Sequence, residues 1–324
     1  MKPKRAGGPA LKSLVFVLVG GCAAAEVTDD LIRCVLRNAR SHEDIGLLPL
    51  LRNAAMHTAE GPTFVELGAL DGEDGSQTWL LEHCFGWRGV LIEASPLNFA
   101  KIASKGRDHA VALNSAVCTP PEGRDTGEVT MMTGGGSVAG VVGQMPAGFL
   151  KRWAANRGSG SATVPCRRLG DLVAGAGLSG GRATFLSLDV EGAEEVVIRT
   201  LNLTSGGFPF SVVMVEADRW DRAKNARVDQ LLLGAGLVQL PISASPGSYN
   251  HLFVRPQLAD SRPPYLHIKS LLQNYSRYVH AHGLLPAPDS CGAPSCMPTA
   301  LGRSNASYFV SQLPAGLPGI NLDS

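Results

Sequence analysis

The chain has 324 residues, of which 44% are hydrophobic and 18% are charged, and its formal net charge at pH 7 is +1. This composition predicts a globular protein and excludes a disordered chain, because enough apolar surface is present to offset the chain entropy. The nearly neutral charge gives no indication of nucleic acid or an anionic membrane as a partner, since phosphate binding requires a clustered basic surface.

Residues 1–25 have the organisation of a signal peptide. Four basic residues lie within the first 12, an apolar stretch runs from Leu14 to Val19, and small residues end at Ala25. This order predicts cleavage after Ala25 and entry into the secretory pathway. A type II membrane anchor is the alternative, although the apolar stretch is shorter than the ~20 residues that cross a bilayer. A transit peptide fits less well, because the stretch is apolar rather than amphipathic.

Strands and helices alternate over most of the remaining chain, after an N-terminal helical segment at residues 26–59 with an apolar period near 3.6. The predicted strands are 63–67, 89–93, 111–113, 184–188, 211–215, 237–240 and 251–254. The predicted helices are 76–85, which Ser76 opens, 96–104, 193–201 and 226–234. The alternation predicts an α/β domain with a parallel sheet over residues 60–256.

Two segments depart from this pattern. Residues 119–166 form a predicted insertion over the edge or mouth of the sheet, with short strands at 128–133 and 163–167 around Gly134-Gly135-Gly136. The insertion is interpreted either as a lid or as a flexible surface loop. Residues 257–324 form a Pro-rich C-terminal extension, irregular except for one predicted amphipathic helix near residues 268–279.

The cysteines agree with an oxidising compartment, because six remain after Cys22 is removed with the signal peptide. Cys118 and Cys166 flank the insertion and would meet if its strands pair. Cys291 and Cys296 are close in sequence, which leaves Cys34 and Cys84 as the third pair. A zinc site is the weaker alternative, since no C-x-x-C pair is present. Three N-glycosylation sequons begin at Asn202, Asn274 and Asn305.

The first functional motif is Glu66-Leu67-Gly68-Ala69-Leu70-Asp71-Gly72, which has the form E-x-G-x-x-x-G and follows a predicted strand. Its glycines permit a tight turn and a close approach to a ligand, and Glu66 can accept hydrogen bonds from a ligand ammonium. Glu93 ends the next strand, where a doubly wound sheet contacts a pair of ribose hydroxyls. The G-x-G-x-x-G spacing of dinucleotide sites is absent. Glu66 and Asp71 would also repel a pyrophosphate, whereas a sulfonium cation suits this acidic mouth.

The second motif is Ser187-Leu188-Asp189-Val190-Glu191-Gly192-Ala193-Glu194, between a predicted strand and a helix. Asp189 and Glu191 should therefore lie at the carboxyl edge of the sheet. Acidic residues also stabilise a helix N-terminus. We favour that structural interpretation for Glu194 and Glu195, and a functional one for Asp189, which directly follows an apolar strand.

The chain resembles the FkbM methyltransferase family over roughly residues 60–256. The resemblance is carried, in this order, by segments 64–72, 86–93, 114–117, 186–194 and 213–216. The resemblance implies a doubly wound, Rossmann-like fold that binds S-adenosylmethionine and usually methylates a hydroxyl oxygen. By position, it implies contacts of the cofactor's methionine part with Glu66, Gly68 and Gly72, of its ribose with Glu93, and of its adenine with Asn114 and Ser115. Asp71 of the same loop is a further cofactor-binding candidate, and Asp189 would lie near the reacting methyl. Ala94 departs from the family, in which many relatives have proline, and residues 257–324 match nothing known to us.

These observations predict a methyltransferase that modifies a hydroxyl of a glycan or small metabolite in the secretory pathway. The sulfonium methyl is already activated, so the protein has to align the acceptor oxygen and remove a proton. Asp189 and Glu191 are the candidate bases. A metal ion that lowers the pKa of the hydroxyl is an alternative, although no metal ligands are predicted. A catalytically inactive binding module on the same fold and a nicotinamide-dependent oxidoreductase are the other two classes.

Overall fold

The computed structural model describes residues 34–35, 38–40, 42–58, 61–132, 136–153, 160–178, 182–204, 207–240 and 250–259. Several sequence predictions lie outside these residues. They are the signal peptide, the helix near residues 268–279, the pair Cys291 and Cys296, and the sequons at Asn274 and Asn305. Within the described ranges, no helix has the length and apolar character needed to cross a membrane.

The described elements alternate along the chain as predicted. The strands are β1 Thr63–Leu67, β2 Arg88–Glu93, β3 Ala110–Asn114, β4 Ala116–Val117, β5 Gly127–Met132, β6 Gly140–Val141, β7 Ser161–Arg167, β8 Ala183–Leu188, β9 Phe210–Glu216, β10 Val238–Leu240 and β11 Asn250–Val254. The helices are α1 His42–Ala55, α2 Trp79–Phe85, α3 Pro96–Ile102, α4 Ala147–Arg152, α5 Leu169–Gly175, α6 Glu194–Arg199 and α7 Arg222–Gly234. Single 3₁₀ turns occupy Gly136–Val138 and Pro256–Leu258.

Seven strands form the central sheet, in the order β10-β11-β9-β8-β1-β2-β3. Strand β11 is antiparallel to both of its neighbours, whereas β3, β2, β1, β8 and β9 are mutually parallel. Leu67 at the end of β1 pairs with Ile92 of β2 and with Leu188 of β8. The carboxyl ends of these three strands therefore meet at one edge, and the predicted parallel α/β sheet is confirmed.

Helices cover both faces of the sheet, as a doubly wound fold requires. On one face, Val65 of β1 packs in a core with Leu172 of α5, Ile198 of α6 and Leu232 of α7. On the other face, Phe64 packs with helices α1 and α2. Buried strands of a parallel sheet read as continuous apolar runs for this reason.

Helix α1 belongs to the core of the sheet rather than to a separate unit. Leu47 and Leu51 of α1 are fully buried in the same cluster as Phe64 and Phe185. Each such leucine contributes roughly 1.5–3 kcal/mol by leaving water. The helical segment predicted before residue 60 therefore helps to hold the strands whose ends form the site.

The insertion, together with β4 just before it, forms a second, four-stranded sheet with the order β4-β7-β5-β6. Strands β5 and β7 are antiparallel and correspond to the two short strands predicted there. A disulfide joins Cys118 to Cys166 at the base of the insertion, and another joins Cys34 to Cys84 of α2. Both predicted pairs are therefore confirmed. A disulfide that closes a loop of about 50 residues stabilises the fold by roughly 4 kcal/mol in the chain-entropy treatment.

Candidate functional site

A cavity of about 270 Å³ opens at the carboxyl edge of the central sheet. Its lining combines residues 66–70 at the end of β1 and in the loop after it, residues 92–94 at the end of β2, and residues 189–191 after β8. The insertion supplies the facing wall, which includes Met131 and Gly140. The described part of the insertion is therefore a wall of the site, and its role as a lid stays a prediction.

Several close contacts hold the insertion against this edge. The side-chain amide of Asn98 in α3 donates to the carbonyl of Gly136 at 3.0 Å. Gly192 has a φ of +111°, and a Cβ built on it would lie 2.5 Å from the carbonyl oxygen of Gln144. A side chain at residue 192 would thus push the insertion away from the loop after β8.

Gly68 lies where three strands end. Its N–H donates to the carbonyl of Ile92 in β2 at 3.0 Å. Its φ is +85°, and a Cβ built on it would lie 1.7 Å from the carbonyl oxygen of Asp189. Only glycine fits here, because the backbones after β1 and β8 touch each other on the floor of the cavity.

Asp71 and Gly72 shape the loop after β1 and do not line the cavity. The Asp71 carboxylate accepts hydrogen bonds from the backbone N–H groups of Glu73 and Asp74, and it pairs with Lys105 at 3.0 Å. Burial alone would raise the pKa of Asp71, but these hydrogen bonds outweigh it and leave the pKa lowered. Gly72 has a φ of +84°. Cofactor contacts of these two residues stay predictions.

Glu66 lines the cavity, but its carboxylate is already hydrogen-bonded. One oxygen accepts from the hydroxyls of Ser76 at 2.7 Å and Thr78 at 2.5 Å, and the other from the N–H of Gln77 at 2.7 Å. Ser76 also accepts from the N–H of Trp79, but α2 begins at Trp79 with Thr78 as its N-cap residue, so the helix starts three residues later than predicted. Each carboxylate oxygen has two lone pairs. Capacity for a ligand ammonium therefore remains at Glu66, and that role stays a prediction.

Glu93 at the end of β2 joins two loops at the cavity. Its carboxylate accepts from the N–H of Leu70 at 2.8 Å and from that of Ser95 at 2.7 Å. Burial raises the pKa of Glu93 to about 7, even though both hydrogen bonds and the charge of Lys101 lower it. Leu70 itself has a φ of +51°, a conformation unusual for a side chain of its size.

Asn114 and Ser115 follow β3 on the same side of the sheet. The Asn114 amide donates to the carbonyls of Glu93 at 2.8 Å and Ala94 at 3.2 Å, and its side chain is not part of the cavity lining. Ser115 lines the cavity, and its hydroxyl is shared between the carbonyls of Ala116 and Pro165. Asn114 therefore fixes the end of β2, and contact of either residue with adenine stays a prediction.

Asp189 and Glu216, at the ends of the neighbouring strands β8 and β9, lie close enough for each carboxyl group to shift the pKa of the other. Asp189 is open to the cavity, although protein surrounds it on its other sides. Burial raises the pKa of Asp189 to about 6, and burial together with the charges of Asp189 and Glu191 raises that of Glu216 to about 10. Two carboxyl groups in such contact hold one proton between them at neutral pH.

Glu191 lies beside this pair with its backbone in the left-handed region, at a φ of +56°. That conformation costs roughly 1–2 kcal/mol for a non-glycine residue, and such costs concentrate at functional sites. Burial, and then the charge of Asp189, raises the pKa of Glu191 to about 9. Glu191 therefore retains its proton at neutral pH.

Glu194 has the structural role predicted for it. It is fully buried, forms an ion pair with Lys224 of α7, and accepts from the N–H groups of Val190 and Gly192. Lys224 also lies 3.7 Å from Asp218. Glu194 thus holds the loop that presents Asp189 and Glu191 to the cavity.

A second cavity of about 260 Å³ adjoins the first and shares Ser137 and Glu191 with it. Its other walls are Phe149, Arg152, Trp153, Glu216, Asp218, Arg219 and Trp220. None of these seven residues is among those predicted from the sequence to form a site. Glu216 directly follows an apolar strand, which is the signal that identified Asp189, whereas the two tryptophans carry no such signal. Among the described residues, no group of three or more His, Cys, Asp or Glu side chains is arranged to hold a metal ion.

A mainly parallel sheet with cavities beyond the carboxyl ends of its strands defines an α/β protein that binds ligands at that edge. Residues 66–238, about half of the chain, match the family model described as the methyltransferase FkbM domain. The chain therefore belongs to the FkbM methyltransferase family, as its motifs predicted. Among curated proteins, none matches the sequence.

The chain is similar in fold to several solved structures. A methyltransferase FkbM from Methylobacillus flagellatus KT shares 12% identity at a TM-score of 0.38, over 69% of this chain and 58% of that one. Cofactor-bound Rv0187 from MTB shares 13% identity at a TM-score of 0.31, over 76% of this chain and 89% of that one. An O-methyltransferase from Bacillus cereus in complex with SAH shares 12% identity at a TM-score of 0.28, over 78% of this chain and 93% of that one. Because these TM-scores are low, the family assignment depends on the match over residues 66–238 alone.

Proposed function

We propose that this protein is an S-adenosylmethionine-dependent methyltransferase that acts on a hydroxyl group of a glycan or small metabolite. The observation that carries the proposal is the pair of cavities that meet at Glu191, with Asp189 on the floor of the first. A transfer reaction requires two ligands with their reacting atoms side by side. Two adjoining cavities with carboxyl groups at the junction provide that arrangement.

The residues of the first cavity fit the proposed cofactor. The buried carboxylate of Glu93, at the end of the second strand, is placed to accept hydrogen bonds from a ribose diol. Asp189 lines the same cavity and supplies negative charge for a sulfonium. Glu66 also lines it and keeps a lone pair for an ammonium, although Arg107 forms an ion pair with it at 3.8 Å. When bound, S-adenosylmethionine supplies a methyl group that passes to the acceptor oxygen as the bond from that methyl to sulfur breaks.

The proton of the acceptor hydroxyl has to leave as the new bond to oxygen forms, and Asp189 is the group to take it. Asp189 lines the first cavity and has the lower pKa of the carboxyl pair, so it carries the charge of the pair at neutral pH and can act as a general base. Glu191 has a pKa of about 9 and is protonated under the same conditions. We therefore assign proton transfer to Asp189 and positioning of the acceptor to Glu191.

Replacement of Glu93 by alanine should weaken binding of S-adenosylmethionine by about 1.5–3 kcal/mol, the contribution of hydrogen bonds to a charged group. Affinity of the unaltered protein should also fall as the pH drops below about 7, because Glu93 gains a proton and loses acceptor capacity. Calorimetric titration with S-adenosylmethionine, and in parallel with NADP, measures both effects. Glu195→Ala is the matched control, since Glu195 pairs with Arg199 and Arg227 outside both cavities. Unaltered protein that binds no S-adenosylmethionine would exclude the proposed activity.

We further propose that the protein acts in the secretory pathway. Two disulfides among the described residues support this, because they persist in oxidising compartments. The sequon at Asn202 supports it as well. Asn202 is exposed, and its side-chain Oδ1 accepts two hydrogen bonds from Thr204. One comes from the backbone N–H of Thr204 at 3.0 Å and the other from its hydroxyl at 2.8 Å.

The mature chain is expected to begin at or near Glu26 and to carry glycan on at least one of Asn202, Asn274 and Asn305. N-terminal sequencing and the mass shift after glycosidase treatment, on protein expressed in cells that glycosylate, measure both points. Cytosolic protein that keeps its intact N-terminus and shows no mass change after glycosidase treatment would refute the proposed location in the secretory pathway.

A further inference from the structure

We infer that the second cavity binds the acceptor through a pyranose ring, which makes the acceptor a saccharide or glycan. The inference rests on the proposed function and deepens it. The cavity combines aromatic walls with a polar rim, and it opens into the first cavity at Glu191. Each of these three features matches one property of a sugar ring that presents a hydroxyl for methylation.

The aromatic walls are rigid. Phe149 is buried in a cluster with Met145, and its ring centroid lies 6.5 Å from that of Trp153. A Cβ built on Gly148 would lie 2.8 Å from the ring of Trp220, so the backbone of α4 packs directly on that ring. A pyranose ring has a face of C–H bonds that packs on such flat aromatic surfaces. Fixed rings bind it at little cost in conformational entropy.

The polar groups of the cavity suit the hydroxyls at the edge of the same ring. Arg152 and Arg219 can only donate hydrogen bonds. Glu216 and Glu191 both carry raised pKa values, so a carboxyl group here can donate as well as accept. Sugar hydroxyls also donate and accept, and several of them can therefore be satisfied at once.

The arrangement of the arginines argues against a cationic acceptor. The guanidinium of Arg152 lies over the ring of Trp153 at 5.1 Å, and that of Arg219 lies over Trp220 at 4.6 Å. A cationic acceptor in this cavity would therefore meet two like charges close to the rings. A flat phenolic acceptor would satisfy the rings but leave most of the polar groups unpaired. A polyhydroxylated ring avoids both penalties.

The junction of the cavities selects which hydroxyl reacts. Ser137 and Glu191 are the residues common to both cavities, so a ring stacked on the aromatic walls has its nearest edge at these two side chains. Asp189 lines the first cavity two residues before Glu191. One ring hydroxyl can therefore reach Asp189 while the others remain in the second cavity.

Saccharide binding can be tested without turnover on the full chain saturated with S-adenosylhomocysteine. Saturation-transfer NMR with methyl glycosides of galactose, fucose and glucuronic acid should show binding of at least one of them. Catechol and tetramethylammonium are tested in parallel as probes for a phenolic and a cationic acceptor. Trp220→Ala should weaken glycoside binding by about tenfold, the loss expected for one aromatic contact with its buried area. Leu233→Ala, which removes an exposed side chain of α7 outside both cavities, should leave it unchanged.

Calorimetry of S-adenosylhomocysteine on the same proteins separates the two proposals. Its affinity should stay within about twofold in Trp220→Ala, because that residue does not line the first cavity. Trp153→Ala gives an independent loss of glycoside binding if Trp220→Ala does not fold. Binding of catechol or tetramethylammonium without any glycoside, or equal glycoside binding in all variants, would overturn the saccharide inference alone. Absence of S-adenosylhomocysteine binding to unaltered protein would instead overturn the proposed function on which it rests.

Discussion

Replacing Asp189 by asparagine is expected to lower turnover by about 10²–10⁴-fold, the contribution of a general base. Asparagine keeps the size and packing of the side chain but has no charge and cannot take the proton of the acceptor. The affinity for S-adenosylmethionine should change much less than in Glu93→Ala. Turnover is measured as labelled methyl transferred from the cofactor into a pool of glycans and metabolites, and affinity by calorimetry.

The pH dependence of Asp189→Asn adds a readout that a structural role would not alter. In the unaltered enzyme, turnover should rise as the pH increases through about 6, where Asp189 loses its proton. That rise should be absent from the residual activity of the variant. Asp189 does not cap α6, which begins after Ala193 without a side-chain cap. Glu195→Gln is the control for loss of an acid nearby. Near-normal turnover in Asp189→Asn would remove the residue from the catalytic machinery.

Gly68→Ala is expected to lower the free energy of unfolding by about 2–5 kcal/mol. About 1–2 kcal/mol comes from placing a side chain at a φ of +85°, and a further 1–3 from the overlap with the carbonyl of Asp189. Gly61→Ala is a closely matched control, because Gly61 has a φ of +88° but no atom within 4 Å of its Cβ position. Urea denaturation of both variants, with disulfides intact, separates the two contributions. Equal losses in the two variants would contradict the close packing of the strand ends.

The sheet could be predicted from sequence because its central strands are mainly apolar runs with a clear end: β2 and β9 end in a glutamate, and Gly68 and Asp189 follow β1 and β8. The predicted strand 63–67 matches β1, and predicted strand 184–188 differs from β8 by one residue at its start. Helices α4 and α5 were not predicted. They have six and seven residues, include glycine, and are too short for an apolar period to be distinguished from chance.

The candidate site could be predicted only where it is built from strand ends. Glu66, Gly68, Glu93, Asp189 and Glu191 all line the first cavity, because the ends of parallel strands meet at one edge. The hydrogen bond from the N–H of Leu70 to Glu93 could not be foreseen, since it forms in a loop where Leu70 has a positive φ. Loop conformations of this kind are set by tertiary contacts and leave no pattern in the residues themselves.

The second cavity could not be predicted from the sequence at all. Trp153 and Trp220 are far apart in sequence and belong to the insertion and to the loop after β9. The insertion has to fold back over the sheet before they line one space. Neither residue lies in a regular apolar pattern, so only the folded chain reveals that they act together.

The disulfide between Cys118 and Cys166 also changes what a broken peptide bond would mean for this protein. The residues between the two cysteines form a covalent ring on the sheet, and the ring includes Phe149 and Trp153. A protease that cuts the chain once within this ring cannot release a fragment, since both new ends stay attached through the sulfur bridge. The wall of the second cavity would thus remain tethered to the sheet after such a cut, and only reduction would separate the pieces.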